Sequence, residues 1–284
     1  MQRESIASPS AQQTKRRAML CRGRGDAGPR VMLLALLLAV AVPGGTQGEP
    51  PAGRGPAAAS PPGSSPLEPA QLQAWQALYN ATGGAAWGCC RDHYHDPCAC
   101  SEPVPGHPGL VRVRCGPAQR GSRATVLQQI VLESCGLKGT LPAGLGALSD
   151  ITLLVLQGNR LSGRLPAEWY RLTGLQKLYL DQNQLSGTLP AAWSNMAGLQ
   201  GLYLNQNQLS GTLPAAWSNM TGLQNLYLDH NQLSGILPAA WSNMTGLQEL
   251  GLKKNQLSGT LPAAWSNMTG LQGLYLDQNQ LSGT

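Results

Sequence analysis

A unit of 24 residues repeats along the second half of the chain and limits its fold more than any other feature. Six copies fill residues 127–270 without an insertion, and a seventh ends at Thr284. The copies start at Leu127, Ile151, Leu175, Leu199, Leu223, Leu247 and Leu271. A unit this short cannot bury its own apolar side chains, so neighbouring units must stack around a shared core. The period therefore predicts a solenoid.

The copy at residues 199–222 shows what each position does. Leu202 and Leu204 alternate along a short strand, so both point inward, while Tyr203 points to the opposite, solvated face. Asn207 follows the strand, where its amide can satisfy backbone groups of the turns in adjacent units. The predicted asparagine ladder comprises Asn159, Asn183, Asn207, Asn231, Asn255 and Asn279. Cys135 occupies this position in the first copy.

The second half of each unit supplies the return side of the coil. Gly211 allows the chain to turn, and Trp217 and Met220 lie three residues apart, as expected for a buried pair. A stripe of tryptophans could instead form a ligand platform, but its spacing beside leucine and methionine favours the core. We predict an α/β solenoid, a right-handed superhelix whose parallel β-sheet lines the concave face.

The N-terminal residues 1–48 are predicted to be a signal peptide with a long basic first region. Twelve apolar residues at 31–42 follow this region and small residues come next. Such a run reaches about 18 Å as a helix, short of the ~30 Å of a bilayer core, so an uncleaved anchor is the weaker alternative. Initiation at Met19 would give a more ordinary leader. Residues 49–67, rich in Pro, Gly, Ala and Ser, are predicted to be a disordered linker.

The net charge of +6 lies almost entirely in this leader, because residues 1–30 contribute +5 of it. The rest of the chain is close to neutral. The sequence therefore gives no electrostatic case for a nucleic-acid partner. A membrane partner is expected only if a missing C-terminal segment supplies an anchor.

Residues 68–126 are predicted to cap the N-terminal end of the solenoid. A short amphipathic helix is expected between Glu68 and Asn80, and a cluster of cysteines follows. The disulfide candidates are Cys89, Cys90, Cys98, Cys100 and Cys115. One of the five is left over unless it bonds to Cys135 or to another chain, and the adjacent Cys89 and Cys90 should bond to different partners. A metal site is the alternative, but the spacing of the cysteines does not match a structural zinc site, and secretion favours oxidation of the cysteines to disulfides.

The repeat and the cap resemble a known family. Leu-Ser-Gly-Thr-Leu-Pro within a 24-residue unit resembles the plant-specific class of leucine-rich repeats, and segments 77–87, 96–98 and 113–115 resemble its N-terminal cap. The repeats, with their nearly identical Trp-Ser-Asn-Met-Thr-Gly segments, are especially similar to green-algal proteins of this type. The resemblance covers residues 68–284 and implies an extracellular recognition module, free-standing or the ectodomain of a receptor-like kinase. Segment 101–114 departs from the usual cap and leaves the disulfide pattern open.

The repeats at residues 127–284 carry their variation mainly on one face. The four copies that start at Leu175 to Leu247 differ at six of 24 positions, and four of these lie on the predicted concave face. Drift after duplication is one interpretation, and selection for recognition is the other. The predicted ligand-binding residues are Lys177, Tyr179, Asp181, Tyr203, Asn205, Asn225, Tyr227, Asp229, His230, Glu249, Lys253, Lys254, Tyr275 and Asp277. Such a tyrosine-rich surface suits a protein, a peptide or a glycan.

We expect no catalytic residues, metal or cofactor. Asp229 and His230 are adjacent, but no nucleophile is predicted to share their surface, and the glycines belong to repeat turns rather than to a phosphate-binding loop. Predicted N-glycosylation sites are Asn80, Asn219, Asn243 and Asn267. The last repeat ends before its Leu-Pro pair and no C-terminal cap follows, so we expect a piece of a longer protein. Two alternatives to a binding scaffold remain, a receptor-like kinase fragment and a structural wall or adhesion protein.

Overall fold

The computed structural model describes residues 66–100, 111–118 and 123–283. The predicted signal peptide and all but two residues of the predicted linker lie outside the described residues. Within the described ranges, no helix has the length and apolar character needed to cross a membrane.

The cap begins with helix α1, Pro69–Ala81, within one residue of the predicted span at each end. Trp75 and Leu78 on its inner face are fully buried. The Gln71 side chain is buried as well, and its Oε1 accepts a hydrogen bond of 3.0 Å from the backbone N–H of Leu127. This contact ties the helix to the first repeat. Two short 3-10 helices, η1 Gly84–Ala86 and η2 Pro97–Ala99, follow.

A strand pair that was not predicted from the sequence joins the cap to the first repeat. Strand β1, Val111–Pro117, pairs antiparallel with β2, Thr125–Leu132. Because β2 also pairs with the next repeat, β1 covers the edge of the repeat sheet that would otherwise expose unpaired backbone groups.

The first sheet has eight strands, and from β2 onward each strand comes from the next repeat and is parallel to its neighbour. The remaining strands are β4 Leu153–Val155, β6 Lys177–Tyr179, β8 Gly201–Tyr203, β10 Asn225–Tyr227, β12 Glu249–Gly251 and β14 Gly273–Tyr275. Residues one repeat apart lie side by side, as in the pairing of Leu202 with Leu226. The predicted solenoid fold, with its parallel sheet and a helical, disulfide-bonded cap, is confirmed.

A second parallel sheet of seven strands lies along the return side and was not predicted. Its strands are β3 Lys138–Thr140, β5 Arg160–Arg164, β7 Gln184–Thr188, β9 Gln208–Thr212, β11 Gln232–Ile236, β13 Gln256–Gly259 and β15 Gln280–Leu281. The glycine expected to form a turn has a left-handed backbone, with φ of 79° at Gly211. The flanking residues are nevertheless extended, because they pair with the same segment of the neighbouring repeats.

Six 3-10 helices complete the repeats, and each of the last five buries a tryptophan. They are η3 Ala143–Ala147, η4 Ala167–Arg171, η5 Ala191–Asn195, η6 Ala215–Asn219, η7 Ala239–Asn243 and η8 Ala263–Asn267. Trp217 is fully buried, stacks on Trp241 at 6.4 Å between ring centroids, and donates from Nε1 to the Pro190 carbonyl. The prediction that these tryptophans belong to the core is confirmed.

The asparagine row forms a continuous hydrogen-bonded ladder through the turns. Asn207 Nδ2 donates to the carbonyls of Leu180 and Leu204, at 3.0 and 3.1 Å, and its Oδ1 accepts from the Leu185 N–H at 3.0 Å. The Leu204 carbonyl also accepts from Asn231 of the next repeat. Each asparagine therefore links its own repeat to the preceding one, and consecutive asparagines share acceptors.

Six cysteines form three disulfides in the cap region. Cys89 bonds to Cys135, Cys90 to Cys100, and Cys98 to Cys115. The adjacent Cys89 and Cys90 thus have different partners. Cys135 takes the place of the asparagine in the first repeat, so a covalent bond connects cap and solenoid where later repeats use hydrogen bonds.

Candidate ligand-binding face

The outward side of the eight-stranded sheet, here called the sheet face, presents the variable residues in rows. Tyr179, Tyr203 and Tyr227 occupy equivalent positions on adjacent strands. The rings of Tyr179 and Tyr203 are 4.2 Å apart between centroids and 4° from parallel, and those of Tyr203 and Tyr227 are 5.4 Å apart and 14° from parallel. The three phenols therefore form one stack, called here the tyrosine stack.

Two glycines on the sheet face make room for this stack. A Cβ at Gly201 would lie 2.9 Å from Cε2 of Tyr203, so the ring lies over the glycine. A Cβ at Gly251 would lie 2.8 Å from Cδ1 of Tyr227, and the Asp229 carboxylate also occupies that space. Sequence comparison showed Gly251 only as a gap in the tyrosine row. In the structure, the neighbouring repeat fills the gap, and Tyr275 beyond it is 48% exposed.

An open groove of about 380 Å³ runs beside the tyrosine stack. It is lined by Gln157, Tyr179, Asp181, Tyr203, Asn205, Asn225, Tyr227 and Asp229. Seven of these eight belong to the predicted ligand-binding set. Gln157 was not predicted, because it lies in the repeat at residues 151–174, outside the four nearly identical copies; it stands one repeat before Asp181 at the same position.

The other predicted binding residues lie outside the lining of this groove. They are Lys177, His230, Glu249, Lys253, Lys254, Tyr275 and Asp277. In this second group, oppositely charged side chains contact each other: Lys253 Nζ forms an ion pair of 2.8 Å with Asp277. The backbone N–H of Lys253 also donates a hydrogen bond of 2.9 Å to Asp229. The structure thus divides the predicted surface into an aromatic, acidic groove and a region of mixed charge.

Asp181 was predicted to lie with the tyrosines on the solvated face of the sheet. The structure buries it, so that prediction is wrong for this residue. It is 5% exposed, and its Oδ1 has no hydrogen-bond partner among the described residues. The Gln182 amide donates to Oδ2 at 3.3 Å. Burial raises the pKa of this carboxyl to about 6, although hydrogen bonds from the backbone N–H of Asp181 and from the Gln182 side chain oppose the shift. The cause is tertiary, because the tyrosines of two adjacent strands stand beside a short side chain.

Burial raises the pKa of two groove tyrosines and of the second aspartate as well. Desolvation is the main cause at Tyr203 and Tyr227, with a hydrogen bond to Tyr179 as the next contribution at Tyr203. At Asp229 desolvation raises the pKa, while the hydrogen bond from the Lys253 backbone opposes it. The phenols therefore stay neutral and able to donate hydrogen bonds at physiological pH.

We predict that Asp181→Asn stabilises the protein at pH 8 by about 2 kcal/mol. The folded pKa of Asp181 lies above its unfolded value of 3.8, so ionisation costs more in the folded state. The wild type is therefore free of this cost below pH 3.8 and bears all of it once the pH has risen past about 6. Urea unfolding at pH 4 and pH 8 measures the difference. Asparagine stands at the equivalent position in the next repeat, Asn205, so the amide is sterically acceptable. A gain that is equal at both pH values would contradict the assignment.

The predicted glycosylation sites lie away from the sheet face. Asn219, Asn243 and Asn267 are the last residues of η6, η7 and η8, and all three are exposed. Asn80 is exposed near the end of α1, and its Nδ2 is 3.4 Å from the hydroxyl of Tyr94. Glycans on these positions would leave the groove uncovered.

Parallel strands one repeat apart, a ladder of buried asparagines and an open sheet face define a repeat-solenoid scaffold of the kind found in receptor ectodomains. The family model described as "Leucine rich repeat" matches residues 173–233 and 221–281. The chain belongs to the leucine-rich-repeat family, of the plant type. No curated protein matches the chain.

Solved structures of plant receptors resemble the chain. The plant peptide hormone receptor RGFR1 in complex with RGF2 is 36% identical over 55% of this chain and 25% of its own, with a TM-score of 0.52. The Arabidopsis receptor kinase HAESA, in complex with the peptide hormone IDA and the co-receptor SERK1, is 26% identical over 74% of this chain and 34% of its own, with a TM-score of 0.62. Pollen receptor kinase 3 is 30% identical over 66% and 85%, with a TM-score of 0.54. The chain spans about a quarter of the length of the first three solved structures that it matches.

Proposed function

We propose that the chain is an extracellular recognition scaffold that binds a peptide or a segment of a protein along the groove of its sheet face. The tyrosine stack is the observation that carries this proposal. Stacked phenols present a rigid apolar surface with hydroxyl groups at its edge, and they lose little side-chain entropy when a ligand binds. The complexes of RGFR1 with RGF2 and of HAESA with IDA support a peptide as the ligand class.

Three further features support the extracellular location. Three disulfides are typical of an oxidising compartment. The glycosylation sequons are exposed, and the sequence predicts a signal peptide. If the protein is exported, digestion with a glycosidase should increase its electrophoretic mobility. Unchanged mobility of protein made in its own cell type would contradict this set of features.

The proposal is tested by replacing the stack. A displayed library of linear peptides is selected on the full chain, and the affinity of the selected peptides is measured by calorimetry. We expect the double variant Tyr203→Ala and Tyr227→Ala to lose about 100-fold in affinity, since each ring removes a central aromatic contact.

The matched control is Tyr275→Ala, because Tyr275 occupies the same row but lies outside the groove. This variant should lose less than about threefold. Selection that yields no peptide dependent on Tyr203 and Tyr227 would contradict the proposal. If a glycan bound in calorimetry and its affinity depended on Tyr203 and Tyr227, the ligand class would be a glycan rather than a peptide. A structural wall or adhesion protein would tolerate all three substitutions.

The receptor-kinase alternative concerns the longer protein rather than the groove. The chain spans 25% of the RGFR1 chain and 34% of the HAESA chain, and this partial coverage supports testing the receptor-kinase alternative. Sequencing of the full-length transcript decides between a transmembrane segment followed by a kinase and a free-standing scaffold.

A further inference from the structure

The groove beside the tyrosine stack has an acidic character that the chain as a whole does not share. Two of its lining residues are carboxylates, Asp181 and Asp229, and none of the described residues that line it carries a positive charge. Residues 31–284, by contrast, carry only +1 of the formal charge of +6. An electronegative groove in a nearly neutral part of the chain attracts positively charged ligand groups.

Asp181 differs from Asp229 in its hydrogen bonding. Asp229 Oδ1 accepts a bond from the backbone N–H of Lys253 at 2.9 Å. Asp181 is only 5% exposed, yet within the described part of the chain its Oδ1 has no donor, and its Oδ2 has only a weak neutral contact with Gln182. An unpaired buried carboxylate oxygen is costly, and a charged donor would offset that cost.

We infer that Asp181 is the anchor for a cationic side chain, the guanidinium of an arginine or the ammonium of a lysine, of a peptide bound in the groove. This inference rests on the proposed function and specifies the ligand chemistry of that site. Tyr203 is stacked between Tyr179 and Tyr227, so the ring of Tyr179 at the end of the stack provides the face on which a guanidinium stacks.

An organic cation fits this position better than a metal ion. Within the described ranges, no group of three His, Cys, Asp or Glu side chains is arranged to hold a metal. One carboxylate with an aromatic wall instead matches the requirements of a nitrogen cation, which needs an anionic acceptor and gains from ring faces.

The probe for this inference is hexa-arginine, with hexa-citrulline as its uncharged counterpart of nearly the same shape. We expect the full chain, at neutral pH and physiological salt, to bind hexa-arginine at least about tenfold more tightly than hexa-citrulline. The variant Asp181→Asn should lose about tenfold in affinity for hexa-arginine and remain unchanged toward hexa-citrulline.

The matched control is Asp277→Asn, which removes one negative charge from the equivalent position of a repeat outside the groove. It should change the affinity less than about twofold. Equal losses in the two variants would show diffuse surface attraction and overturn the inference. Spermine as a competitor separates the ligand sources, because displacement at similar concentrations would assign the site to free amines rather than to a peptide.

The proposed function can survive failure of this inference. Peptides that depend on Tyr203 and Tyr227 but ignore Asp181→Asn would leave the groove as a binding site and remove only the cation anchor. Thermal unfolding of each variant verifies that it is folded, and Asp181→Ala gives a second variant without the amide.

Discussion

Replacing Asn207 by alanine is expected to lower the free energy of unfolding by about 4 kcal/mol. The substitution leaves the Leu185 N–H without its acceptor inside the protein, which costs about 2 kcal/mol. It also removes two hydrogen bonds to the carbonyls of Leu180 and Leu204, at about 1 kcal/mol each. These carbonyls keep a second asparagine donor, Asn183 and Asn231 respectively, so they stay hydrogen-bonded and add no further cost.

Denaturant unfolding followed by circular dichroism measures this effect. Repeat proteins can unfold in parts, so the transition should be tested for two-state behaviour before a free energy is assigned. Asn205→Ala is the matched control, two residues away on the solvated side, and should cost less than about 0.5 kcal/mol. A loss below about 1 kcal/mol for Asn207→Ala would mean that the ladder contributes little to stability.

Removal of the disulfide between Cys89 and Cys135 is expected to cost about 4 kcal/mol. The bond closes a loop across a sequence separation of 46 residues and connects the cap to the first turn of the ladder. Without it, the unfolded chain gains entropy, and the first repeat has neither a covalent bond nor an asparagine at that position. The double variant Cys89→Ser and Cys135→Ser avoids a free thiol, and its unfolding midpoint in urea is compared with that of the wild type.

The disulfide between Cys90 and Cys100 provides the comparison. It spans only 10 residues, so replacing both cysteines by serine should cost about 3 kcal/mol, less than loss of the longer link. A larger loss of stability on removing the Cys90–Cys100 disulfide would show that the stabilisation by these disulfides does not increase with the length of the loop that each one closes.

The cap illustrates how far spacing predicts covalent structure. From the sequence, the adjacent Cys89 and Cys90 were expected to have different partners, and Cys135 was one option for the remaining cysteine. The pairings themselves were not predicted, because they depend on how segments far apart in sequence approach each other. The strand pair of β1 and β2 escaped prediction for the same reason.

The groove shows a similar division. Its tyrosines were predicted from positions that alternate with buried leucines, since the period of a strand fixes which side chains share a face. The burial of Asp181 and the placement of the Tyr203 ring over Gly201 were not predicted. Both depend on side-chain conformations and on contacts between adjacent repeats.

By itself the sequence determined the solenoid, the inward leucines, the buried tryptophans and the position of the asparagines, because a strict period makes each unit repeat the environment of the last. Only the tertiary structure decided that the Gln-Leu-Ser-Gly segments pair as a second sheet and that Cys135 bonds to Cys89. It also decided that Asp181 lies buried without a partner for Oδ1. These features arise between residues tens of positions apart, where packing sets the geometry and local pattern carries no information about it.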